Sequence, residues 1–133
     1  MIFIDASFFL AYYNTDDIHH QNAKNGWTEI EVEKYGPTIT TDYILNEVTG
    51  VTLRKLNKKH AIIIGEQIIK SVVIINIDES ILTEAWKLFS RTEFNFNLVD
   101  CTTIVTMKKA NIKHIATFDK EFRNVKDIIV IGK

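Results

Sequence analysis

Ile2-Phe3-Ile4-Asp5-Ala6-Ser7 and, far along the chain, Ile115-Ala116-Thr117-Phe118-Asp119 share one pattern: a short apolar, β-prone run that stops at an aspartate. Runs of this kind read as buried strands delivering a carboxylate to a strand end. Short β-branched or apolar runs recur five times, at Ile2–Ile4, Thr38–Thr40, Val72–Ile77, His114–Phe118 and Ile128–Ile131. Longer amphipathic segments separate them: Ser7–Tyr13, Asp17–Lys34, Asp42–Leu56, Lys59–Lys70, Ile81–Phe89 and Cys101–Ala110. Asp16 or Asp17 is the expected N-cap of the second segment, and Gly36-Pro37 marks a loop, because the residue before proline is pushed away from helical geometry. Strand and helix in alternation predict an α/β fold, a three-layer α/β/α sandwich around a central parallel sheet of about five strands. The strands are almost continuously hydrophobic, as coverage by helices on both faces requires.

The chain has 133 residues, of which 46% are hydrophobic, enough for one core and a single domain over residues 1–133. Sixteen basic and 17 acidic side chains leave a net charge of -1, so a polyanion would have to be met by a local basic patch. The lone Cys101 has no disulfide partner and no second thiol for a zinc cluster. No apolar run approaches membrane-spanning length, and the start Met1-Ile2-Phe3-Ile4-Asp5 lacks the features of a secretory leader. A cytoplasmic protein without a membrane is the expectation. No glycine-rich dinucleotide loop and no phosphate-binding loop ending in Gly-Lys-Ser/Thr is present, so nucleotide cofactors are not expected.

Four carboxylates carry the chemistry. Asp5 ends the first strand, Asp119 follows the fourth, and Asp100 stands at the start of a helix leading into a parallel strand. Taken singly, each is explained as a helix cap. Taken together, the topology puts all three at the carboxyl edge of the sheet, where open α/β folds bind ligands. Glu47 differs, because it lies within the stripe Ile44, Val48 and Val51, and its helical neighbours include no Lys or Arg. An inward or rim carboxylate without a partner costs several kcal/mol, roughly, unless it is protonated, hydrogen-bonded or bound to a cation.

Four such groups in one place would repel one another until they took up protons or a metal. Oxygen donors without His or Cys select magnesium or manganese over zinc. The chemistry that fits such a site is phosphodiester hydrolysis.

At this point the residues resemble a known family. Ile2-Phe3-Ile4-Asp5-Ala6-Ser7, Asp17-Ile18-His19-His20, Thr41-Asp42-Tyr43-Ile44-Leu45-Asn46-Glu47, Asn97-Leu98-Val99-Asp100-Cys101-Thr102-Thr103 and Ile115-Ala116-Thr117-Phe118-Asp119-Lys120-Glu121-Phe122 resemble, in order, the signature segments of PIN domains, and within them the VapC-type toxins of toxin–antitoxin pairs. The resemblance spans nearly the whole chain. It implies a magnesium- or manganese-dependent endoribonuclease with Asp5, Glu47, Asp100 and Asp119 as its acidic set, Asp5, Asp100 and Asp119 being the metal ligands. It also implies an RNA substrate, a cognate antitoxin protein and a homodimer, and it gives the Ser7 and Thr117 hydroxyls a place beside the site.

Other features carry less. His19 and His20 are adjacent, and His60 and His114 stand alone, so no zinc spacing exists and surface or partner contacts are expected. Cys101 lies on an apolar stripe and reads as a packed thiol. Arg54-Lys55-Leu56-Asn57-Lys58-Lys59-His60 is a solvated connection or a contact for RNA phosphates. Trp27 and Trp86 read as core or interface aromatics. Two rivals remain: a phospho-accepting signalling domain using Asp78, set against the N-cap role of that residue, and a non-catalytic PIN-like module that binds RNA or protein.

Overall fold

The computed structural model describes residues 1–31 and 35–132. Its elements run β1 (Ile2–Ile4), α1 (Ala6–Tyr13), α2 (His20–Glu31), β2 (Thr38–Thr41), α3 (Asp42–Lys55), α4 (Lys58–Ser71), β3 (Val73–Ile75), α5 (Glu79–Arg91), α6 (Leu98–Lys109), β4 (His114–Ala116), a short 3-10 helix (Lys120–Asn124) and β5 (Ile129–Ile131). The five strands form one parallel sheet in the order β3-β2-β1-β4-β5, the architecture that the run pattern predicts.

Parallel strands joined by right-handed crossovers place the helices between β1 and β3 on one face, and α5 and α6, which carry the chain back across, on the other. In agreement, α1 packs on α2 and α3, and α5 packs on α6. The central strand β1 is covered on both sides, with Ile2, Phe3 and Ile4 fully buried. Connections leave β1 and β4 in opposite directions, so the switch point of the sheet lies between these two strands, at their carboxyl ends.

Several element ends differ from the sequence expectation, each because a side chain stops or starts the backbone ladder. The second helix starts at His20, not Asp17, because the Asp17 carboxylate accepts the His19 N–H at 2.7 Å and forms a turn ahead of it. The expected end of that helix, residues 32–34, lies outside the described residues. The helix expected from Cys101 begins at Leu98, because Asn97 is its cap. Strand β4 ends at Ala116, and the Phe118 N–H turns to the Ser7 hydroxyl. Among the described residues no helix is long and apolar enough to cross a membrane.

Candidate active site

Asp5 occupies the N-cap position of α1, yet its side chain caps nothing. Its backbone N–H donates to Ala116 C=O at 3.0 Å, which ties the end of β1 to the end of β4. The carboxylate is 5% exposed and faces that junction instead of its own helix. Its Oδ2 accepts the Thr117 hydroxyl at 2.7 Å and the Ser7 hydroxyl at 3.0 Å. Those hydroxyls are themselves oriented, since Ser7 Oγ accepts the Phe118 N–H and Thr117 Oγ1 accepts the Asp119 N–H, each at 3.0 Å. An oxygen that accepts a backbone N–H has its single proton left to give, and both protons point at Asp5.

This network gives both hydroxyls one acceptor, Asp5. Ser7 and Thr117, which the family resemblance places beside the site, hold its first carboxylate. Burial raises the pKa of Asp5; the hydroxyls of Thr117 and Ser7 and the Ala6 N–H oppose that rise, and the charge of Asp119 adds to it.

The other acids approach from three elements. Asp119 follows β4 and its Oδ1 accepts the Glu121 N–H at 3.0 Å, so here the capping reading holds. Asp100 lies on the first turn of α6 as the third residue, not at the cap. It forms a reciprocal box with Asn97: Asn97 Oδ1 accepts the Asp100 N–H at 2.8 Å, and Asp100 Oδ2 accepts the Asn97 N–H at 3.0 Å. Glu47 sits half-buried on α3, at the rim of the stripe with Ile44 and Val48, as its spacing predicts.

Electrostatics link the four. Burial raises the pKa of Glu47, and the charge on Asp5 raises it further. The Asp100 carboxyl is pushed up to about 7, first by burial and then by the charges on Asp5, Asp119 and Glu47, against the favourable Asn97 N–H. The charges that raise the pKa of Asp5, Glu47 and Asp100 are all negative, and among the described residues no lysine or arginine offsets them. Among the described residues no three His, Cys, Asp or Glu side chains are gathered closely enough to cage an ion. Two of these carboxylates, Asp100 and Asp119, are held by backbone N–H groups. An all-oxygen, uncompensated acidic set is nevertheless the donor chemistry that suits a hard divalent cation.

The sequence model of the PIN domain matches residues 2–128. The chain belongs to the PIN domain family. Two strains of Mycobacterium tuberculosis carry a relative named 23S rRNA-specific endonuclease VapC20, 27% identical over 124 residues and covering 92% of both chains. Solved structures agree in fold. The crystal structure of Mycobacterium tuberculosis VapC20, described as a sarcin-ricin loop cleaving toxin, superposes with a TM-score of 0.84 at 24% identity over 93% of this chain and 94% of that one. A toxin–antitoxin complex from Klebsiella pneumoniae gives 0.70 at 15% identity over 97% and 96%, and FitAcB from Neisseria gonorrhoeae 0.73 at 16% over 99% and 97%.

The remaining residues of this PIN domain fall on either side of expectation. Asp78 is the N-cap of α5, accepting the Ile81 N–H at 2.8 Å, which removes the main support for a phospho-accepting domain. Cys101 is buried and its thiol pKa is raised by burial and by Asp100, a packed thiol rather than a nucleophile. Trp27, weighed for an interface, packs on Phe8, Phe9 and Tyr12, whereas Trp86 is 57% exposed beside Phe89. Sequence reasoning missed Asp42, whose Oδ1 accepts the Ile77 N–H at 2.9 Å and fastens the exit of β3 to the start of α3, the helix bearing Glu47. It also missed the Asn97–Asp100 box, although Asn followed three residues later by an acid is a legible signal. His19 lies flat on the Phe118 ring, 4.4 Å between centroids, a contact across 99 positions that periodicity does not reveal.

Proposed function

We propose that this PIN domain is a metal-dependent endoribonuclease, the toxin of a toxin–antitoxin pair. The observation that carries the reading is the uncompensated repulsion focused on Asp100 from three acids delivered by three other elements, at the switch point of the sheet. Asp5, Asp100 and Asp119 are the assigned ligands of magnesium or manganese, with Glu47 completing the acidic set. The bound ion supplies neutralisation of the phosphodiester oxygens and a more acidic water. Ser7 and Thr117 fix the rotamer of Asp5 and oppose, with two donated protons, the rise in its pKa that burial causes. Buried at 5% exposure, Asp5 exchanges little of its orientation with solvent, which suits a ligand whose position must not drift.

RNA as substrate is supported by the relative named as an endonuclease of 23S rRNA. An antitoxin partner is supported by the likeness to toxin–antitoxin complexes. A homodimer is proposed as well, with the exposed Leu82, Trp86 and Phe89 of α5 as its apolar contribution. Light scattering above micromolar concentration tests the dimer, and a strictly monomeric protein refutes it. The central experiment incubates purified protein with total RNA, with magnesium, manganese or chelator. Discrete new RNA ends with either metal and none in chelator are expected, and intact RNA under all three conditions sinks the enzyme reading in favour of a binding module.

A further inference from the structure

Beside the carboxylates, α1, α3 and the turn before α2 enclose a cavity of about 260 Å³ that Asp5, Glu47, Asp100 and Asp119 do not line, its one acidic wall residue being Asp17. Three of its lining residues touch the catalytic set through the chain: Ser7 holds Asp5, Val48 follows Glu47, and Phe118 precedes Asp119. The cavity is thus the immediate neighbour of the place where a phosphodiester would sit.

Its walls suit something flat. On one side stands a column of nearly parallel rings, the fully buried Phe8 stacked on Phe118 at 5.5 Å and 10°, and Phe118 on His19 at 4.4 Å and 5°. His19, at the end of the column, and Phe118, the middle ring behind it, line the cavity. Val48 and Val51 of α3 form an aliphatic wall. The volume lies below the roughly 300–1,000 Å³ of a pocket for a drug-sized ligand, and it suits one ring system better than a run of side chains.

Its mouth suits a polyanion. Lys55 is a lining residue and belongs to the exposed stretch of residues 53–60 with Arg54, Lys58 and Lys59. None of these four cations forms an ion pair with the described residues. A small, mainly apolar cavity lined by ring faces and by Lys55, next to an acidic site, matches a nucleotide whose base is splayed out of the stack while its phosphates remain at the surface. The geometry points to a base subsite: one unstacked nucleobase of the RNA, adjacent to the cut bond, inserts between the Phe118–His19 pair and Val51, with Lys55 on the flanking phosphate. This rests on the ribonuclease reading and assigns that reading a determinant of sequence choice.

The test measures binding in chelator, so that no RNA is cut. The probes are a mixed-sequence single-stranded RNA and an abasic ribose–phosphate oligomer of equal length, both fluorescently labelled. The parent binds the RNA roughly tenfold tighter than the abasic strand, the order of effect that one base–aromatic stack supplies. Val51→Trp, which fills the slot from α3, brings RNA binding down to the abasic level. His19→Ala reduces the same discrimination from a partly exposed position and carries the test if Val51→Trp does not fold. Equal affinity of the parent for both probes overturns the subsite. So does full discrimination by folded Val51→Trp together with His19→Ala, which would leave the cavity to a side chain of a partner protein. Base discrimination without cleavage in metal sinks the ribonuclease reading alone, and cleavage without discrimination sinks the subsite alone.

Discussion

The Asp5 corner and the Asp100 corner contain the same functional group in opposite settings. Asp5 sits at a helix cap position and declines the cap; it is buried, and both hydroxyls that reach it come from residues whose own oxygens are held by backbone N–H groups. Asp100 accepts a helix-box hydrogen bond, remains half-exposed, and is the carboxyl whose pKa the other three acids raise. The first corner is fixed by bonds across the sheet, the second by bonds within one turn of helix. Local role and chemical role are therefore separable: an acid that caps can still titrate abnormally because of what surrounds it, and a residue in a cap position can be reserved for something else.

The sharpest way to break this comparison is Asp100→Asn, for which loss of RNA cleavage is the expected outcome. Asparagine still accepts the Asn97 N–H, so the box survives and the metal-free protein should melt at the parent temperature or above it, relieved of repulsion. Added magnesium should narrow or reverse that advantage, since the parent gains more from binding. Parent-level cleavage by the mutant would remove Asp100 from the site whatever the melting curves show. A smaller effect is expected at the other corner. Thr117→Val keeps the volume but takes one proton from Asp5 and strands the Asp119 N–H, which should cost roughly 1–3 kcal/mol by denaturant titration. With Asp5 as the metal ligand proposed above, activity should fall by about 10–100-fold, the usual penalty for losing a group that orients such a ligand. A Thr117→Ser variant that recovers most of the loss would tie the effect to the hydroxyl. The smallest effect is a pH slope. An acid whose native pKa stands above its unfolded value keeps a proton in the fold that the unfolded chain releases, so stability is greatest below the unfolded pKa and declines as pH rises toward the native one. With Asp100 moving from 3.8 to about 7, and Asp5 and Glu47 shifted in the same direction, the metal-free protein should melt progressively lower from mildly acid to neutral pH. Asp100→Asn should flatten that slope, and an unchanged slope would mean the repulsion is spent elsewhere.

The strands and their chain order were legible because β-branched runs bounded by turns carry a strong local signal, and all five fall where the runs place them. The spatial order β3-β2-β1-β4-β5 was not, because no pattern in Ile2–Ile4 tells which strands will flank it. The acidic set was legible as four positions, and the co-location of three at one edge follows from parallel topology alone. What the sequence withheld is which way each carboxylate turns. Asp5 and Asp119 look alike in a run of letters, each after a strand and before a helix, yet one accepts a neighbouring N–H and the other reaches across the sheet to Thr117. That choice is made by contacts far apart in the chain, and no window of local spacing contains them. The ring column of Phe8, Phe118 and His19 escaped for the same reason.

The hydrogen bond between Thr117 and Asp5 joins residues 112 positions apart, and the Ala116 carbonyl that receives the Asp5 N–H lies just before it. The first carboxylate leaves a translating ribosome among the earliest residues, while the clamp that orients it emerges almost last. Contacts of such long sequence separation close late, after the loop entropy between them has been overcome. A nascent chain stalled before β4 would carry Asp5, Glu47 and Asp100 without the hydroxyl of Thr117 or the strand that brings it. On the proposed ribonuclease reading, the Asp5 carboxylate would gain its orienting hydroxyl only once β4 and Thr117 have emerged, when most of the chain has been made.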